Sequence, residues 1–123
     1  MELSFISHFL PQGLLDCFSI KAVNELCFIK DQSVYIEIIL EENNAIIGDV
    51  DSSQYESKGF TEVTLQDFPI RGKAVYLVLR RRRWRHKQDP KITHRNDFSY
   101  VSEGSGFTKE LSDFLKATGR YKG

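Results

Sequence analysis

Residues 65–87 read LQDFPIRGKAVYLVLRRRRWRHK, a segment that opens as protein core and ends as a polycation. Val75, Leu77 and Leu79 alternate with Ala74, Tyr76 and Val78, the period-two pattern of a pleated strand. The strand predicted over 74–86 then carries Arg80, Arg81, Arg82, Arg83, Trp84 and Arg85. Alternation sends Arg80, Arg82 and Trp84 to one side and Arg81, Arg83 and Arg85 to the other. At about 3.3 Å per residue the arginine segment covers roughly 17 Å. Phe60 to Phe68 shows the same alternation, and Pro69-Ile70-Arg71-Gly72-Lys73 supplies the turn between the two strands. A second turn, Gln88-Asp89-Pro90-Lys91, leads to a return strand ending Phe98-Ser99-Tyr100-Val101. Segments 61–69, 74–86 and 92–101 thus predict a β-meander.

The flanks complete the expected architecture. Val34-Tyr35-Ile36-Glu37-Ile38-Ile39-Leu40 is rich in β-branched and aromatic residues and reads as a further strand, while the polar stretch 48–59 reads as a loop. Leu3, Ile6 and Leu10 recur at helical spacing until Pro11-Gln12-Gly13, and a second turn, Leu14 to Phe18, follows. Near the other end Thr108 suits an N-cap, Leu111, Phe114 and Leu115 form an apolar stripe, and Gly119 suits the helix end. The expectation is one α+β domain over 1–123. It comprises an N-terminal helical pair (1–20), an antiparallel β-meander with a basic hairpin (34–101) and a C-terminal helix (107–118).

The formal net charge of zero hides a dipolar chain. Residues 1–70 hold three Lys/Arg against twelve Asp/Glu, 71–95 hold ten against one, and 96–123 hold four of each. Such asymmetry points to nucleic-acid contact. Arginine suits that task, because its planar fork binds phosphate bidentately and also pairs with guanine O6 and N7. A two-stranded ribbon of this length fits the major groove of B-DNA or lies along its backbone. The candidate contact residues are Arg80, Arg81, Arg82, Arg83 and Arg85, extended by Lys73, Lys87, Lys91 and Arg95. Trp84 is expected to pack across the hairpin on Phe98 or Tyr100. Two other classes fit the same residues: a protein-interaction or assembly domain in which acidic and basic faces meet, and an RNA-binding regulator. In a further reading the acidic half neutralises the basic strand within the fold.

Signals for chemistry are missing. His8, His86 and His94 lack paired spacing, and Cys17 and Cys27 lie ten residues apart, so neither a metal site nor a cofactor is expected. No nucleophile elbow, Walker loop or GxGxxG occurs. Asp16, Glu37, Asp49, Asp51 and Asp67 read as solvated surface, and the two cysteines as buried free thiols. No stretch approaches the roughly 18 apolar residues of a membrane span. The opening Met1-Glu2-Leu3-Ser4-Phe5 lacks a basic start, so a cytoplasmic, nucleoid-associated protein is expected.

Three blocks resemble a known family: FLPQGLLDCFSI at 9–20, YESKGFTEVTLQDFPIRGKAVYLVLRRRRWR at 55–85 and FTKELSDFLKATGRY at 107–121. Together they are similar to the N-terminal region of bacterial insertion-sequence transposases of the ISAon type. Leu65 to Trp84 is the most specific part. The resemblance implies a non-catalytic module that recognises double-stranded DNA at the element's ends during transposition. It also implies a catalytic domain, on the same or a separate chain, with three acidic residues and magnesium; apart from the resemblance, a homodimer is among the expected partners. Relatives with a zinc ribbon place cysteine pairs around this hairpin. Here Arg85-His86-Lys87 follows the aromatic, so zinc binding does not carry over.

Overall fold

A computed structural model describes residues 7–11, 13–98 and 106–118. It is mostly β, with a one-turn helix α1 (Leu14–Cys17), strands β1 (Phe18–Cys27), β2 (Val34–Glu42), β3 (Tyr55–Ile70), β4 (Lys73–His86) and β5 (Thr93–His94), and a helix α2 (Lys109–Ala117). Short 3-10 turns precede α1 at Ser7–Phe9 and β3 at Ser52–Gln54. The strand order is β1-β2-β4-β3, with β5 also paired to β4.

The sheet is mixed, which corrects the expected purely antiparallel meander. β3 and β4 form the expected hairpin, with Val63 opposite Leu79 and Leu65 opposite Leu77. Its two-residue turn places Arg71 at φ 56° and Gly72 at φ 79°, the pair of positive φ values that matches strand twist. β2, however, runs parallel to β4, with Ile38 beside Leu77 and Leu40 beside Leu79. Parallel neighbours need a crossover of a dozen or more residues, and 43–54 together with β3 provides it. β3 begins at Tyr55, inside the stretch expected to be loop. A bulge at Lys58-Gly59, where Gly59 has φ 102°, lets this polar segment continue the ladder. A second irregularity between Asp67 and Ile70 accommodates Pro69, which has no N–H to donate. The return strand shrinks to Thr93–His94; Phe98 lies beyond it, and Ser99, Tyr100 and Val101 fall outside the described residues.

The N-terminal helical pair is also corrected. Ser7–Phe9 is a 3-10 turn, α1 is four residues long, and Phe18 already belongs to β1. A helix so short has too few hydrogen bonds to offset its nucleation cost. The alternation of Phe18, Ile20 and Ala22 with Ser19 and Lys21 favours extended chain instead. Leu3 and Ile6 lie outside the described residues. This corner is nonetheless packed: Leu10, Leu14 and Phe18 join Ile38, Leu40, Leu65, Val75, Leu77 and Leu79 in one core cluster, with Leu15 partly buried against it. The opposite face of the sheet carries Tyr35, Ile39, Thr64, Tyr76 and Val78, none of them buried. There Tyr35 meets Phe28 in a stack at 4.3 Å and Tyr76 edge-on at 5.7 Å.

α2 is tied to β3 by a polar contact that sequence placed at the surface. Asp67 is 4% exposed and accepts a 2.8 Å hydrogen bond from the Thr108 hydroxyl. Thr108 in turn accepts from Leu111 N–H as the expected N-cap, and Thr108 N–H donates to Gln66 O. Burial pushes the Asp67 carboxyl above the ordinary carboxylate range, opposed by the Thr108 hydroxyl. A carboxyl raised on folding holds its proton more readily than the unfolded chain, so ionised Asp67 weighs against the fold as pH rises through that window. In the α2 stripe Leu111 is buried and Leu115 half-buried, but Phe114 is exposed and meets Phe68 edge-on at 5.6 Å. Both cysteines are free; Cys17 is half-buried, with burial raising its thiol pKa, and Cys27 is exposed, contrary to expectation. Among the described residues, no helix is long and apolar enough to cross a membrane.

Candidate nucleic-acid interface

β4 is paired on both edges, with β3 along one side and β2 then β5 along the other. Its arginines are therefore held on a rigid ribbon, and strand alternation assigns each a face. The two faces treat their arginines differently.

On the face opposite the core, Arg80 Nη1 donates to Glu41 Oε1 at 3.0 Å and its Nε lies 3.9 Å from Glu62. Arg82 Nη1 donates to the Ser57 hydroxyl at 2.8 Å and its Nε to Glu42 O at 3.2 Å. Both guanidiniums sit over the Phe60 ring, at 4.8 and 4.6 Å from its centroid, an arrangement favoured by the ring's negative face. Trp84 completes this side. It is 2% exposed, donates from Nε1 to Asn44 Oδ1 at 2.9 Å and lies 6.0 Å from the His94 ring. It packs across the hairpin as expected, but on β5 and the 43–47 segment; Phe98 instead tilts against Phe18 at 5.2 Å.

On the core side, past the apolar cluster, Arg81 donates to Asn96 O and lies over the Phe98 ring at 5.5 Å. Arg83 is exposed and donates to Lys58 O at 3.3 Å. Arg95 is exposed and donates to the hydroxyl of Thr61, which is registered opposite Arg81. Among the described residues none of these three has a carboxylate within 4.0 Å. Arg85, half-buried, lies 3.8 Å from Glu56, a partly exposed pair of small energetic weight. Lys87 and Lys91 are exposed around the turn that follows.

Lys73 does not join the group. It begins β4, roughly 40 Å of extended strand from Arg85, and faces Glu25 at 3.4 Å. The structure therefore brings Arg81, Arg83, Arg85, Lys87, Lys91 and Arg95 to one end of the sheet and holds Arg80 and Arg82 in internal contacts.

Two residues that organise this end escaped the sequence reading. Glu42 is 1% exposed; its Oε1 accepts the backbone N–H of Arg82 and its Oε2 accepts from Asn96 Nδ2, both at 2.8 Å. Asn96, 3% exposed, also donates to Ala45 O and accepts from Ile47 N–H. This network pins the 95–98 segment beside β4 and so places Arg95. Glu42 lies two residues past the strand expected over Val34 to Leu40, and the parallel pairing of β2 with β4 makes it internal.

A cavity of about 240 Å³ lies elsewhere, lined by His8, Phe9, Asp67, Phe68, Pro69 and Glu110 among others, and takes in none of the arginines. Among the described residues no group of three His, Cys, Asp or Glu side chains is placed to hold a metal ion. Comparison with known proteins finds no matching family model, no matching curated protein and no matching solved structure.

Proposed function

We propose that this chain is a non-catalytic DNA-binding module that grips the phosphate backbone with the exposed basic end of β4 and the turn after it. The observation that carries this reading is the exposed pair Arg83 and Arg95, two guanidiniums without a carboxylate neighbour among the described residues, Arg83 on a ribbon paired along both edges and Arg95 just after β5. On the opposite face Arg80 is instead paired with Glu41 at 3.0 Å. The resemblance to insertion-sequence transposases supplies the target: double-stranded DNA at the element's ends, with catalysis on another domain or chain. In this reading the contact residues are Arg83, Arg85, Lys87, Lys91 and Arg95, while Arg80 and Arg82 hold the sheet and Arg81 braces the 96–98 segment.

One observation favours an assembly role as the second reading. β1 is an edge strand, and Val23, Leu26, Phe28 and Ile29 on and just after it are 48, 37, 37 and 98% exposed. Long apolar edges invite pairing with another chain.

Titrating a labelled duplex with the purified protein at low salt, beside sedimentation of the protein alone, tests the two together. The expected result is saturable duplex binding with competition by unlabelled duplex DNA in preference to duplex RNA. Self-association without any DNA binding would overturn the proposal in favour of assembly, and preference for RNA would reassign the target.

A further inference from the structure

We infer, resting on the DNA-binding reading above, that the DNA lies against one face only: the side of the sheet carrying Arg81, Arg83 and Arg95. Five arginines alternate along the end of β4, yet their surroundings divide by side. Arg80 and Arg82 face Glu41, Glu62, the Ser57 hydroxyl and the Phe60 ring. A phosphate approaching there would meet two carboxylates and would have to displace contacts already made. On the other side Arg81, Arg83 and Arg95 have, among the described residues, only neutral partners, namely the Asn96 carbonyl, the Lys58 carbonyl and the Thr61 hydroxyl, and the carboxylate recorded there, Glu56, sits beside Arg85. Like charges on one face repel one another, and an anion seated among them relieves that repulsion.

The nearest buried carboxylate, Glu42, does not cancel this charge by direct pairing. Its two oxygens are taken by the Arg82 backbone N–H and the Asn96 amide. Arg81 and Arg83 are two residues apart on a regular strand, about 6.6 Å, and Thr61 draws Arg95 in beside them. The arrangement fits the negatively charged oxygens of a phosphodiester backbone, bound by charge-assisted hydrogen bonds.

The test compares two double variants, Arg83→Gln/Arg95→Gln and Arg80→Gln/Arg82→Gln, by duplex DNA affinity across a range of salt, with melting recorded for each. The first pair should make the slope of log K against log salt shallower by about two and leave the melting temperature unchanged. The second should melt earlier and keep the wild-type slope. Should that second protein fail to fold, Glu41→Gln/Glu62→Gln replaces it: releasing Arg80 from its carboxylates should leave the slope as it was. A slope that responds to the Arg80/Arg82 pair, or steepens when Glu41 and Glu62 are neutralised, would overturn the sidedness. Duplex binding indifferent to the Arg83/Arg95 pair would also overturn it while leaving DNA binding itself in place. Wild-type protein that binds no duplex at low salt would remove both readings.

Discussion

Replacing Leu79 by alanine should destabilise the protein by about 3–5 kcal/mol. Leu79 is fully buried in the central strand, flanked by Leu40 on β2 and Val63 on β3. Neighbours held on two paired strands cannot collapse into the space left, so the lost transfer energy adds to an unfilled cavity. Denaturant titration measures the loss directly, and the midpoint should fall with little change in slope. A loss below about 1 kcal/mol would be the value of a surface site and would contradict the placement of β4 at the sheet's centre.

Removing Glu42 should cost nearly as much, about 3 kcal/mol or more, although the residue is acidic and ends a strand. Glu42→Ala leaves the Arg82 N–H and one N–H of the Asn96 amide without an acceptor in a buried site, the other amide N–H still reaching Ala45 O, and unsatisfied buried donors carry the full desolvation penalty. Asn96→Ala should also be severe, since it strands Glu42, Ala45 O and Ile47 N–H. The informative quantity is the double variant. Residues sharing one network should show a coupling of roughly 0.5–3 kcal/mol, the double loss falling short of the summed singles. Additive losses would mean that the two side chains act independently.

What the chain revealed about its fold followed from periodicity, and what it concealed followed from pairing. Val75, Leu77 and Leu79 announce a buried face because their alternation is local. The β3–β4 hairpin and the Thr108 cap were likewise written within a few residues. β1 was missed because Phe18 reads as the end of the helical turn before it and 21–27 carry a weak alternation, so that only the long antiparallel pairing with β2 extends the strand to Cys27. The parallel contact of β2 with β4 joins segments about 40 residues apart in sequence, and no local signal specifies it. The arginines show both limits. Their alternation was legible, yet which side is neutralised depends on Glu41 arriving from β2 and Glu62 from β3. Asp67 misled for the same reason: an acidic residue before Phe-Pro reads as surface until α2 is seen to dock on it.

The salt dependence of duplex binding by the wild-type protein tests most directly whether the open arginine end is a phosphate grip. Each neutralised phosphate contributes about −0.9 to the slope of log K against log salt. Arg83, Arg85, Lys87, Lys91 and Arg95 acting together therefore predict a slope of about −4 to −5. Binding whose strength does not change with salt would contradict the account, because it would leave these five cations with no part in holding DNA.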